Sequence, residues 1–132
     1  MRVLLIVLAA CVALTFAAPS QATQHRRHVP PWLYTKRLAK QWYGWTGPQW
    51  VALDALVDRE SGWNYCAHYP STTDCGYTGS NACGIPQAYY CPVEWRGHLE
   101  RWHRQVFWML RYVRDRYGDP VNAAYHERYG GY

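Results

Sequence analysis

Glu60 is the residue of this chain best set for proton-transfer chemistry. Trp50, Leu53, Leu56 and Val57 recur at helical spacing, and the run ends in Glu60-Ser61-Gly62-Trp63-Asn64, which puts one carboxylate at a helix exit beside an indole. The unpaired carbonyls of a helix C-terminus disfavour a second negative charge there, and an indole that excludes water acts in the same direction. Both raise a carboxyl pKa, and a raised carboxyl is what proton donation near neutral pH requires. The chemistry indicated is general acid catalysis. The other acids are less well set: Asp54 and Asp58 fall on the polar side of the same helix, Asp115 sits among Arg111, Arg114 and Arg116, and Asp119 reads as a helix cap. Glu94, Glu100 and Glu127 stay open. The six histidines follow no metal-ligand spacing, so no metal site and no cofactor are expected.

The elements that must position Glu60 are marked mainly by Pro and Gly. A first helix is expected over about 31–43, with Pro31 at its first position, Trp32, Leu33, Leu38 and Trp42 at helical spacing, and Gly44 after it. The turn Trp45-Thr46-Gly47-Pro48 leads into the second helix, over about 48–60, which Gly62 ends. From 61 to 91 the chain is broken by Gly62, Pro70, Gly76, Gly79, Gly84 and Pro86, so no long helix fits, though a short hairpin does. A helical piece near 92–95 follows. Leu99, Trp102, Val106, Met109, Leu110, Val113 and Tyr117 then mark the longest amphipathic helix; Gly118 stops it, and Asp119-Pro120 opens a last short helix to about 127. The fold class expected is mostly α, with an irregular loop region between the second and third helices.

Arg2 followed by an apolar run to about Ala18 has the form of a signal peptide, with Ser20-Gln21-Ala22 as small-residue cleavage site and the cut after Ala22. Leu8-Ala9-Ala10-Cys11 also resembles a lipoprotein box, but the apolar run continues past Cys11 where a polar tether belongs. A retained transmembrane helix is a third reading, disfavoured by the cleavage site. The organisation expected is a leader at 1–22, a basic arm at 23–30 that includes Gln24-His25-Arg26-Arg27-His28, and one domain at 31–132. The remaining 110 residues suffice for one modest core. Their formal charge is +4, which draws an exported protein toward anionic polymers such as wall material. The arginines carry no nucleic-acid motif.

Outside the leader, Cys66, Cys75, Cys83 and Cys91 form an even, clustered set, which in an exported domain means two disulfides. Of the three pairings, Cys66–Cys75 with Cys83–Cys91 closes two short adjacent loops and is favoured. A zinc site is the rival, opposed by the lack of a Cys-x-x-Cys pair and by His68 being the loop's one histidine.

Several segments converge. Arg59-Glu60-Ser61-Gly62-Trp63-Asn64, Cys83-Gly84-Ile85-Pro86-Gln87-Ala88, Gln105 with Trp108, Tyr112 to Pro120, Ala124-Tyr125-His126 and Gly131-Tyr132 stand in an order that resembles the exported transglycosylase-like members of the lysozyme superfamily. Those are similar to the catalytic domain of soluble lytic transglycosylases. The resemblance runs from about Trp50 to Tyr132. It implies a small lysozyme-like domain in which Glu60 is both acid and base on the bond between N-acetylmuramic acid and N-acetylglucosamine in peptidoglycan, giving a 1,6-anhydro sugar.

No second carboxylate is required by that chemistry, and none follows Glu60 until Asp74, within the loop region. A carboxylate facing Glu60 would instead favour hydrolysis, as in glycosidases with paired acids. The resemblance further implies that Ser61 shapes the site, that Gln87 lies beside the sugar cleft with Ile85 in the same turn, and that Tyr125 stands near Glu60. His126 replaces the family's Asn, and Pro86 also departs from its pattern. Trp63, Tyr65, Tyr69, Tyr77, Tyr89 and Tyr90 crowd the loops near Glu60, where aromatic faces line sugar clefts. Trp63 is the one placed with the binding residues. The expected partner is the peptidoglycan glycan strand, met by a secreted or wall-associated monomer that binds no nucleic acid and, once its leader is removed, no membrane. A muramidase and a non-catalytic wall-binding module are the alternatives.

Overall fold

The computed structural model describes residues 28–70 and 72–130. The leader at 1–22, Cys11, most of the basic arm and the terminal Gly131-Tyr132 lie outside the described residues. Four helices, α1 (Pro31–Tyr43), α2 (Pro48–Ser61), α3 (His103–Tyr117) and α4 (Pro120–Tyr129), account for most of the rest. Between α2 and α3 run two short strands, β1 (Ala67–His68) and β2 (Thr72–Thr73), and a single 3₁₀ turn at Val93–Trp95. The strands form an antiparallel hairpin with Ala67 opposite Thr73 and His68 opposite Thr72. Among the described residues no helix is long and apolar enough to cross a membrane.

Helix boundaries follow backbone chemistry. Pro31, Pro48 and Pro120 open α1, α2 and α4, where the missing N–H leaves no helical bond unmade. Asp119 caps α4 by accepting a bond from the Asn122 N–H at 2.9 Å. Gly62 ends α2 in the left-handed conformation, φ 58°, and its N–H closes on the Asp58 carbonyl at 2.9 Å. That reversal leaves Glu60 in the last turn.

The main core joins Leu53 and Val57 of α2 to Val106, Leu110 and Val113 of α3 and Ala123 of α4. Each valine or leucine among them contributes about 1.5–3 kcal/mol by leaving water. Helix α1 turns a different face inward from the one its large residues suggest. Thr35 and Ala39 are fully buried, whereas Trp32 and Trp42 are 44% and 42% exposed. Small residues at i and i+4 let α1 lie close, and Trp42 instead stacks on Phe107 at 5.4 Å between ring centres.

A second apolar cluster holds the stapled loops together: Cys66, Cys83, Ala88, Cys91, Trp95 and Leu99 are buried there, with Tyr65 and Trp108 packed against both clusters. The disulfides are Cys66–Cys75 and Cys83–Cys91, with Cα separations of 4.6 and 5.2 Å. Leu99, read from sequence as the start of the third helix, lies before it. Its N–H bonds to the Cys75 carbonyl at 3.1 Å and its carbonyl accepts from the Gln105 side chain at 2.9 Å, which ties this stretch to the stapled loops.

Candidate active site

Glu60 lies half-buried in a groove where α2, α3, α4 and the 86–89 loop meet. Counting the open solvent at its mouth, the groove encloses about 850 Å³. Helix α2 contributes Leu56, Val57 and Glu60, and the loop contributes Pro86, Gln87, Ala88 and Tyr89. Trp108, Met109, Tyr112, Val113 and Tyr117 form the α3 wall, and Ala123, His126 and Glu127 the α4 wall. Trp108 and Tyr112, one turn apart, stack with centres 4.8 Å apart and planes 9° from parallel, giving the groove a broad aromatic side. Tyr117 meets the His126 ring at 5.3 Å.

Burial raises the Glu60 carboxyl above its ordinary range, the negative charge of Glu127 raises it further, and the positive charge of Arg59 opposes both. Arg59 donates a hydrogen bond to the Glu127 carboxylate and pairs with it, linking the end of α2 to α4. The indole that lines the groove is Trp108 rather than Trp63. Trp63 stacks on Trp50 at 6.0 Å and donates its Nε1–H to Asp54 at 2.9 Å, so it secures the helix exit and does not line the groove.

The loop is held against Glu60 by a short chain of bonds. Ser61 Oγ–H donates to the Ile85 carbonyl at 2.7 Å, and the Ile85 N–H donates to Gln105 Oε1 at 2.8 Å. Gln105 is fully buried and also donates to the carbonyls of Leu99, at 2.9 Å, and Tyr65, at 3.1 Å. One amide therefore brackets three stretches of chain from α3. Gly84 makes room for it: at φ 77°, a Cβ there would stand 2.7 Å from Gln105 Oε1. Gln87 enters the groove at φ 46° with its Nε2 bonded to the carbonyls of Gly84, at 3.0 Å, and Ala67, at 3.2 Å.

Of the residues named from sequence, Glu60 and Gln87 line the groove together. Ser61 and Ile85 act beneath it, Ile85 with its side chain fully buried. Tyr125 is not brought to Glu60; it is 66% exposed and packs on Tyr129 at 4.8 Å. Helical geometry separates them, since Ala123, His126 and Glu127 share the face turned to the groove by their spacing of three and four, and Tyr125 falls off it. Asp74 is also elsewhere, exposed and accepting a bond from the Gly76 N–H at 2.9 Å. His68 stacks on Tyr77 at 3.9 Å and bonds Thr72, and the four loop cysteines are joined to one another, which leaves the zinc alternative no thiolates.

The second carboxylate of the site is Glu127, which sequence reading left open without a role. Its signal was the i, i+4 relation to Ala123, the small residue that lets α4 approach. Compared with protein-family models, with curated proteins and with solved structures, the chain has no match.

Proposed function

We propose that the protein is an exported lytic transglycosylase that cleaves peptidoglycan between N-acetylmuramic acid and N-acetylglucosamine, with Glu60 as both acid and base. The observation that carries the reading is a half-buried carboxyl, raised by burial and a neighbouring anion, inside an aromatic-walled groove. In the first step Glu60 gives its proton to the glycosidic oxygen as the bond from that oxygen to the muramic acid C1 breaks. The freed sugar leaves as an alcohol. The Glu60 carboxylate then takes the proton of the C6 hydroxyl, whose oxygen bonds to C1 and closes the 1,6-anhydro ring. Glu60 ends protonated as it began, and no water is consumed.

Glu127 favours a second reading, hydrolysis, because two carboxylates sharing a groove are the usual equipment of glycosidases. Its engagement by Arg59 argues against that: the guanidinium occupies the carboxylate that would have to hold a water or attack the sugar. Under the first reading Glu127 acts through its charge. Glu60→Gln should lower release of soluble fragments from cell-wall sacculi by roughly 10²- to 10⁴-fold while leaving sedimentation with the sacculi intact. A Glu60→Gln protein with wild-type release would place the acid elsewhere, and wild-type protein that binds sacculi without releasing anything would leave the wall-binding reading.

A further inference from the structure

Six aromatic residues crowd the stapled loops, and the structure sorts them into two groups. Trp63, Tyr65 and Tyr77 pack inward, Tyr77 against His68. Tyr69, Tyr89 and Tyr90 do not: they are 63%, 77% and 72% exposed. With Ser80, Asn81 and Ala82 they surround a hollow of about 610 Å³, counting the solvent at its mouth. Tyr89 lines both this hollow and the Glu60 groove, so the two adjoin at that residue.

The hollow is built rather than incidental. Tyr89 and Tyr90 meet edge to face with ring centres 4.5 Å apart. Tyr90 is held at φ 53°, a conformation that costs a non-glycine residue and persists only where the surroundings impose it. The surroundings here are the Cys83–Cys91 disulfide, the Cys91 N–H bonded to the Ser80 carbonyl at 3.1 Å and the Tyr69 N–H bonded to the Ala82 carbonyl at 2.9 Å. Three large rings kept in water by a fixed backbone form a preorganised surface.

Its chemistry narrows the occupant. No charged side chain lines the hollow, which disfavours a nucleic acid or an acidic peptide. Flat ring faces beside phenol hydroxyls, the Ser80 hydroxyl and the Asn81 amide suit sugars, which offer C–H faces for stacking and hydroxyl or acetamido groups for bonding. We propose that Tyr69, Tyr89 and Tyr90 form a second glycan subsite that holds sugars of the same strand beyond the scissile bond, so that the enzyme engages long chains in preference to short fragments. The inference rests on the glycan reading of the groove.

The test is binding rather than cleavage, so it stands apart from the fate of Glu60. In a Glu60→Gln background, affinities for the disaccharide and the hexasaccharide of β-1,4-linked N-acetylglucosamine are measured by calorimetry, with and without Tyr69→Ala/Tyr90→Ala. The parent should bind the hexasaccharide more tightly. The double substitution should weaken that binding roughly tenfold and leave disaccharide binding unchanged. Tyr69→Phe/Tyr90→Phe, which keeps both rings, should retain most of the affinity, and matching near-ultraviolet circular dichroism identifies folded variants. Equal parental affinity for both lengths, an unchanged hexasaccharide affinity in the Ala variant, or an equal loss for both sugars would each overturn the subsite. Loss of cleavage with length-dependent binding intact would count against the Glu60 mechanism alone.

Discussion

At the scale of single residues, the Glu60 carboxyl is set by neighbours that oppose one another. Burial and Glu127 favour its protonated form and Arg59 favours the anion. The sign of each change follows. Glu127→Gln removes a like charge and frees Arg59, both of which lower the Glu60 pKa, so the basic limb of the pH–rate profile should move to lower pH. Arg59→Gln removes the opposing cation and leaves Glu127 unneutralised, so the same limb should move to higher pH. Opposite shifts, with turnover retained in Glu127→Gln at its own optimum, are the expected outcome of rate measurements across pH. A Glu127→Gln protein inactive at every pH would make Glu127 a catalytic group and favour hydrolysis. Stability carries the same sign: a carboxyl raised in the native state holds a proton that the unfolded chain has lost, so folding weakens as pH rises from the ordinary carboxylate range through the raised value. Glu60 was legible in the sequence because a helix exit is written by Gly62. Glu127 was less so: its i, i+4 relation to Ala123 places it on a helix face, but its partner Arg59 is 68 positions away and that spacing does not mark the pair.

At the scale of elements, helix ends were more legible than helix faces. Pro and Gly fix where a helix starts and stops through the backbone alone, and α1 and α2 lie within a residue of the spans they imply. Which side turns inward depends on what arrives from elsewhere. Thr35 and Ala39 replaced Trp32 and Trp42 as the buried face of α1, and α4 offered His126 and Glu127 to the groove where resemblance pointed to Tyr125. Gln105 was visible only as one member of a motif. Its role needs three carbonyl or amide partners that sequence does not bring together. The bracket is testable: Gln105→Leu keeps the volume but strands the Ile85 N–H and the Tyr65 and Leu99 carbonyls. The expected loss is about 2–4 kcal/mol in denaturant unfolding, with Glu60 turnover falling as the loop loosens. An unchanged unfolding midpoint would show that water replaces the amide.

At the scale of the whole molecule, three helices and a stapled loop enclose one groove, and the two disulfides take the place of the larger core that a chain of this size lacks. The formal charge of the full sequence, +5, suits approach to an anionic wall, and two structural disulfides suit an oxidising compartment; export to the wall is part of the proposal. The central claim is that one carboxyl serves as acid and then as base without water. The most direct measurement is the mass of the fragments that wild-type protein releases from purified sacculi. Anhydro-muramic ends, one water lighter than reducing ends, are the predicted result; release of reducing ends alone would contradict the claim and assign the groove to hydrolysis.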